Sequence, residues 1–233
     1  MFGLKESPSL WWLELRDAVL SCGFVEVPGV PGFFALFDDS RCLIGLLGVR
    51  VDDGTWAGHG SAFKRAQDEL RKLIKVKVEK NGTFEILGRR LTQKPGSVQV
   101  DQFDYVKGLR PVPMTAARRK QREAKLTPQE VTQYLSITQQ LAWPARTTMP
   151  RLAYLVSYLQ QRTPEATVAD LTRANWVLRQ AQEMGRQGDC LMFKQMNLDL
   201  KDLLVVSAHD ASFGKQTKEG SQQGHVTLLA GTS

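Results

Sequence analysis

The chain has 233 residues, 42% of them hydrophobic and 24% charged, which excludes a disordered or fibrous protein and allows one large or two small buried cores. A formal charge of +7 with a pI near 9.4 favours an anionic partner, nucleic acid first. No apolar run approaches the roughly twenty residues of a membrane span, and Lys5 and Glu6 interrupt the place of a secretory leader. Cys22, Cys42 and Cys190 are odd in number and scattered, so they read as buried thiols of a reducing, intracellular compartment.

Ser7 and Pro8 suit the N-cap and first position of a helix, and Gly23 suits its stop. Trp11, Leu15, Ala18 and Cys22 share one face of it. After the breakers Pro28, Gly29, Pro31 and Gly32, residues Phe33–Phe37 read as a strand, 38–41 as a turn and Cys42–Val51 as the partner strand. Asp52 and Asp53 precede Gly54, and Asp-Gly between apolar runs predicts a tight hairpin with both carboxylates at its tip and Thr55–Ala57 returning. Two anions held together repel, and a divalent cation relieves that repulsion. Aspartate is also common in turns for its own backbone bonds, so a turn without metal stays open.

Ser61 is expected to cap a helix with Phe63, Ala66, Leu70 and Leu73 or Ile74 inward, and Lys64, Arg65, Arg71 and Lys72 outward. From Lys75 the period changes to two. Val76 and Val78, the turn Asn81-Gly82, then Phe84 and Ile86 predict one hairpin, and Lys94-Pro95-Gly96-Ser97 predicts another. The segment Arg110 to Lys125, with Pro111, Pro113, Arg118, Arg119, Lys120 and Arg122, reads as a basic linker or an exposed phosphate-contacting patch. Thr127-Pro128-Gln129-Glu130 is a capping box opening a helix up to Trp143-Pro144. Met149-Pro150 opens a second helix, and Thr163-Pro164-Glu165 a third that ends at Gly185 and Gly188. Three short-looped amphipathic helices predict a small bundle. Cys190–Phe193, Leu203–Asp210 and His225–Leu229 return to strands, which makes the chain α+β.

Taken in order, these stretches resemble the reverse transcriptase of copia-type retrotransposon polyproteins. Phe2-Gly3-Leu4-Lys5-Glu6-Ser7-Pro8, then Trp11 or Trp12 and Cys22-Gly23-Phe24, resemble polymerase motif B, and Val51-Asp52-Asp53 resembles motif C. Ile86-Leu87-Gly88 is similar to the Leu-Gly of motif E, and Gln102 to Val106 to the Gln-x-x-Tyr segment after it. Leu126-Thr127 with Glu130 and Tyr134, Leu141-Ala142-Trp143 and Thr148-Met149-Pro150 parallel the family's helical region. Ser207 to Gly214 resembles the opening strand of its ribonuclease H domain.

The resemblance implies a partial polymerase palm of antiparallel hairpins and helices over 1–110. A basic linker with a helical thumb or connection region follows over 111–189, and the first strands of a ribonuclease H-like domain over 190–233. It implies an RNA-directed DNA polymerase, a nucleotidyltransferase working by in-line displacement between two ions about 3.5–4 Å apart. The cofactor is Mg²⁺ or Mn²⁺, with Asp52 the firmer ligand and Asp53 the auxiliary one. Gly3, Lys5, Ser7 and Pro8 would meet template and incoming nucleotide, and Arg89 and Arg90 a duplex backbone, with a solvated edge strand as the alternative for the arginines. Asp210 would be the first ribonuclease H aspartate, with a strand-end turn residue as the alternative. Implied partners are an RNA or DNA template with primer, deoxynucleotides and the remainder of the polyprotein, in cytoplasm, virus-like particle or nucleus, with no membrane.

The sequence also departs from the family's pattern. The motif A aspartate belongs before motif B, and none of Glu14, Asp17, Glu26, Asp38 or Asp39 stands in an equivalent context. Arg50 replaces an aromatic or histidine before Val51, and Glu6 and Ser9 replace glutamine and arginine in motif B. The expectation is an internal piece of a polyprotein, inactive in isolation; the alternative is a non-catalytic, basic nucleic-acid-binding remnant of a transposon.

Overall fold

The computed structural model describes residues 7–51, 53–75, 81–196, 202–212 and 222–231, in two compact units, Met1–Lys80 and Asn81–Ser233. Helices and antiparallel sheets are mixed as the α+β reading predicts. Among the described residues no helix is long and apolar enough to cross a membrane.

In the first unit α1 (Ser7–Ser21) ends at Gly23, whose φ of 87° lets the chain reverse into a sheet. The sheet is ordered β1 (Val25–Glu26), β2 (Phe33–Phe37), β3 (Leu43–Arg50) and β4 (Asp53–Gly58), all antiparallel, and α2 (Gly60–Leu73) follows. Leu15, Val19 and Cys22 of α1, Phe34, Leu36, Ile44 and Leu47 of the sheet, and Phe63, Ala66 and Leu70 of α2 form one core. Two sequence expectations need correction. The cap of α2 is His59, without a side-chain bond, and not Ser61; the ladder runs on to a bond from His59 N to Ile44 O (3.0 Å), so the helix starts as soon as pairing stops. Cys42 is exposed beside the β2–β3 turn, while Cys22 is buried, and burial pushes its thiol pKa up.

The seat of α2 is a pair of glycines. Gly45 and Gly58 are Cα partners across β3 and β4, and a side-chain carbon on either would enter the ring of Phe63. The missing side chains leave a flat floor that the ring fills, which recovers the burial the glycines lack.

The second unit holds a sheet of β5 (Thr83–Ile86), β6 (Arg89–Lys94), β7 (Ser97–Asp101) and β8 (Leu191–Lys194), antiparallel in that order. Lys94 pairs with Ser97 around Pro95-Gly96 as predicted, whereas Val76 and Val78 lie outside the described residues. Leu191–Lys194, grouped by sequence with the C-terminal strands, instead forms the edge of this sheet against β7. The helices are α3 (Phe103–Gly108), α4 (Ala116–Lys120), α5 (Pro128–Thr147), α6 (Ala153–Gln161) and α7 (Val168–Arg186). Their core includes Tyr134, Leu141, Met149, Leu159, Leu171 and Leu178. Thr163–Glu165 is a separate 3₁₀ turn and does not open α7; Ala166 is extended, and the true cap is Thr167, whose N–H donates to Asp170 (2.9 Å).

The basic segment read as a linker is ordered against the bundle. Asn175 Oδ1 accepts from Val112 N–H (2.8 Å) and its Nδ2 donates to Val112 O (2.9 Å). The carbonyls of Ala124 and Arg122 accept the first N–H groups of α7, from Val168 and Ala169 (both 3.0 Å), so the segment caps that helix. Arg118 binds Glu130 bidentately (2.9 and 2.7 Å) and holds its carboxyl well below the usual range, at about 2. β9 (Leu203–Ser212) and β10 (Gln222–Gly231) form a separate antiparallel hairpin.

Sequence stops α5 at Pro144, but the helix runs on to Thr147. A proline there lacks the N–H that Gln140 O would accept. The hydroxyl of Tyr105 donates to that carbonyl instead (3.1 Å), and its ring meets Trp143 edge-on at 4.6 Å. Trp143 in turn covers the Leu87-Gly88 turn, where both φ angles are positive and a side chain on Gly88 would collide with the indole.

Tyr105→Phe is expected to destabilise the second unit by about 0.5–1.5 kcal/mol in chemical denaturation, the range for a half-buried hydrogen bond. In a Pro144→Ala background the cost should shrink, because the alanine introduced there has an N–H that can bond Gln140 O. A second expectation concerns acid. Glu130 is lowered in the folded state, so its contribution is complete above the ordinary carboxylate pKa near 4.5 and is lost as pH falls towards about 2. Stability measured across that window should fall less steeply in Glu130→Gln.

Candidate metal-binding hairpin

β3 is anchored by buried Ile44 and Leu47, and its Val49 N–H donates to Gly32 O (2.7 Å). The register continues to Arg50 opposite Asp53, with Gly54 opposite Val49. The reversal therefore falls one residue earlier than the Asp-Gly signal implies, and Asp53 is already the first residue of β4. Val51 stands at the turn with φ 57° and 70% exposure. A β-branched residue in the left-handed region is strained.

The strained residue is tied down. Trp11 Nε1 of α1 donates to Val51 O at 2.9 Å, which brings α1 and the hairpin tip together. Ser7 and Pro8 lie at the start of this same helix, while Gly3, Lys5 and Asp52 lie outside the described residues.

Asp53 is exposed, a hard oxygen donor of the kind Mg²⁺ takes, on a stiff support. Exposed Arg50 is directly opposite on the same face, so a cation neighbours the carboxylate. Asp38 accepts Cys42 N–H (2.8 Å) at the far end of β3, and Glu26 is paired with Arg16 (2.9 Å). Among the described residues no group of three or more His, Cys, Asp or Glu could hold a metal ion.

The other sequence candidates belong to the second unit. Arg90 is bidentate to Asp101 (3.0 and 2.9 Å) and reaches Asp104 (3.0 Å), so its guanidinium is committed within the protein. Arg89 is half-buried, and its Nε is buried without a partner. Asp210 is exposed on β9 opposite Gly224, and its Oδ1 accepts Ala211 N–H (2.8 Å). The strand continues two residues past it, to Ser212, so Asp210 is not at the strand end.

The structural roles of two residues escaped sequence reasoning. Trp11 appears there as part of an apolar face and of the motif B-like stretch, and neither reading gives its indole N–H the carbonyl of Val51 as partner. Gln102 is buried, and its Oε1 accepts from Thr147 and Thr148. The usable signal was its pairing with Tyr105 in the Gln-x-x-Tyr segment.

Two known proteins are similar to the chain. One is the transposon Ty5-1 protein YCL074W of Saccharomyces cerevisiae, 27% identical over 99% of this chain and 77% of its own length. The other is the retrovirus-related Pol polyprotein from transposon RE2 of Arabidopsis thaliana, 29% identical over 69% of this chain. The chain spans 12% of that polyprotein's length. No protein-family model and no solved structure matches. The relatives support an origin in a retrotransposon polyprotein.

Val51→Gly is expected to stabilise the first unit by about 1 kcal/mol in thermal melts, the scale of relieved left-handed strain. Trp11→Phe, which removes one bond at the tip, should cost about 0.5–1.5 kcal/mol in the same measurement.

Proposed function

We propose that this chain is a reverse transcriptase segment of a copia-type retrotransposon polyprotein, reaching from motif B of the palm into the start of ribonuclease H. The observation that carries the reading is the bond from Trp11 to Val51 O. It joins the helix that follows the motif B-like residues to the hairpin that bears the motif C-like pair, two elements a polymerase must bring to one substrate. The relatives from Ty5-1 and RE2 support the polyprotein part of the reading.

In this reading Asp52 and Asp53 would hold Mg²⁺ or Mn²⁺, and the fit rests on the hard, exposed oxygen of Asp53. Bound there, the ion would stabilise charge on the nucleotide phosphates. The protein's own part is positional. The hairpin base at Ile44 and Leu47 and the Trp11 bond keep the carboxylate support from moving, and Arg50 supplies a cation beside it. Substrates are deoxynucleotides and an RNA or DNA template with primer; Asp210 would serve the ribonuclease H part. The second reading, a non-catalytic nucleic-acid-binding remnant, is favoured by one feature: thirteen Lys and Arg against seven Asp and Glu between Phe103 and Asp189.

Pure chain is expected to incorporate no nucleotide on a primed RNA template, because none of Glu14, Asp17, Glu26, Asp38 or Asp39 stands in a motif A context to complete the cage with Asp52 and Asp53. Mn²⁺ titrated while water proton relaxation is read should nevertheless bind. Asp52→Asn with Asp53→Asn should weaken that binding at least about tenfold, since a hard-cation site depends on its anionic ligands. Parental Mn²⁺ affinity in the double variant, with duplex binding intact, would sink the polymerase reading in favour of the remnant.

A further inference from the structure

The β9–β10 hairpin has two unlike faces. Leu204, Val206 and Ala208 lie opposite Ala230, Leu228 and Val226 on one of them. The other carries Ser207 opposite Thr227 and His209 opposite His225, with the apolar pair Val205 and Leu229 towards the open end of the hairpin. The two histidines are exposed, with ring centroids 6.0 Å apart and planes inclined at 26°. They are two of only three histidines in the chain.

We propose that His209 and His225 form a two-imidazole site for a borderline transition-metal ion of the Zn²⁺, Ni²⁺ or Cu²⁺ class. The spacing suits one ion. An imidazole nitrogen 2.0–2.1 Å from zinc puts its ring centroid about 3.2 Å from the metal, so two rings on a tetrahedral ion stand about 5 Å apart. The observed 6.0 Å closes to that by small side-chain rotations, which exposed rings on directly opposed positions can make. The neighbours accommodate the tautomer that the site needs. Ser207 Oγ lies 2.9 Å from His209 Nε2 and 3.4 Å from Thr227 Oγ1. With Nε2–H donating to Ser207, and Ser207 to Thr227, His209 presents Nδ1 as the lone pair for the metal. Asp210, next along the strand, faces the opposite side and adds no carboxylate. The site is therefore nitrogen-based, and two or more coordination positions remain for water or an outside ligand. It stands independently of the polymerase reading, which concerns hard cations at the other unit's hairpin.

The test is calorimetric titration of the full chain with ZnCl₂ and with NiCl₂ in millimolar MgCl₂. One ion per chain is expected, undisturbed by Mg²⁺. His209→Ala and His225→Ala should each weaken binding at least about tenfold, for loss of one of two protein ligands. Ser207→Ala should weaken it about tenfold, the cost of losing an outer hydrogen bond to a ligating histidine. His59→Ala and Asp53→Asn should leave it unchanged. A readout without variants is the proton NMR spectrum, where Ni²⁺ should broaden two imidazoles before the third. Parental affinity in both histidine variants, displacement by Mg²⁺, or loss only on replacing Cys42 or Cys190 overturns the proposal.

Discussion

Pro144 removes from α5 the donor that Gln140 O would have used, and a half-buried carbonyl is costly to leave without a donor. The second unit is arranged around the answer. Tyr105, on α3, supplies the missing donor. That ties Tyr105 to the C-terminal half of α5 and sets the tyrosine ring edge-on to Trp143. Trp143 can then lie over the Leu87-Gly88 turn because that turn presents no side chain at Gly88. One residue past Asp101, Gln102 receives the hydroxyls of Thr147 and Thr148 from the last turn of the same helix. Sheet, short helix and long helix are thus joined at a defect in backbone bonding, and the long helix continues past its proline to deliver Met149 and Leu152 to the core.

The first unit solves a different problem with other means. It must support an exposed, strained turn, so it stiffens the strands that lead to it. The Phe63 ring over Gly45 and Gly58 binds α2 to the middle of the hairpin, Gly32 takes the N–H of Val49 nearer the tip, and Trp11 takes the tip carbonyl itself. Strain at Val51 persists because these contacts over-determine its position. Such a tip holds Asp53 in one place, which a charged group on a loose loop would not achieve.

Local signals were legible in the sequence, and long-range ones were not. The strand Phe33–Phe37, the Thr127–Glu130 capping box, the Lys94–Ser97 hairpin and the stop at Gly23 all rest on residues within a few positions of each other. The errors have the opposite character. Arg110–Lys125 reads as a linker because its charge is visible, whereas its partners Glu130, Asn175 and the start of α7 lie as many as 63 residues away. Asp-Gly is a good turn signal, but the pairing of Arg50 with Asp53 places the left-handed residue at Val51, which local preference disfavours. Of the candidate site, the paired carboxylates and the helix before them could be read directly. The bond joining them spans 40 residues and could not.

The seat of α2 has a consequence for how this chain can vary. Positions 45, 58 and 63 share one volume, so none of them can drift alone. Alanine at 45 demands a smaller residue at 63, alanine at 58 would in addition run into the carbonyl oxygen of Ile44, and a smaller residue at 63 by itself opens a void over the strands. Acceptable change therefore comes as a coordinated pair at 45 and 63, while backbone holds position 58 to glycine. Among diverged relatives, the ring and its glycine floor should be kept together or lost together.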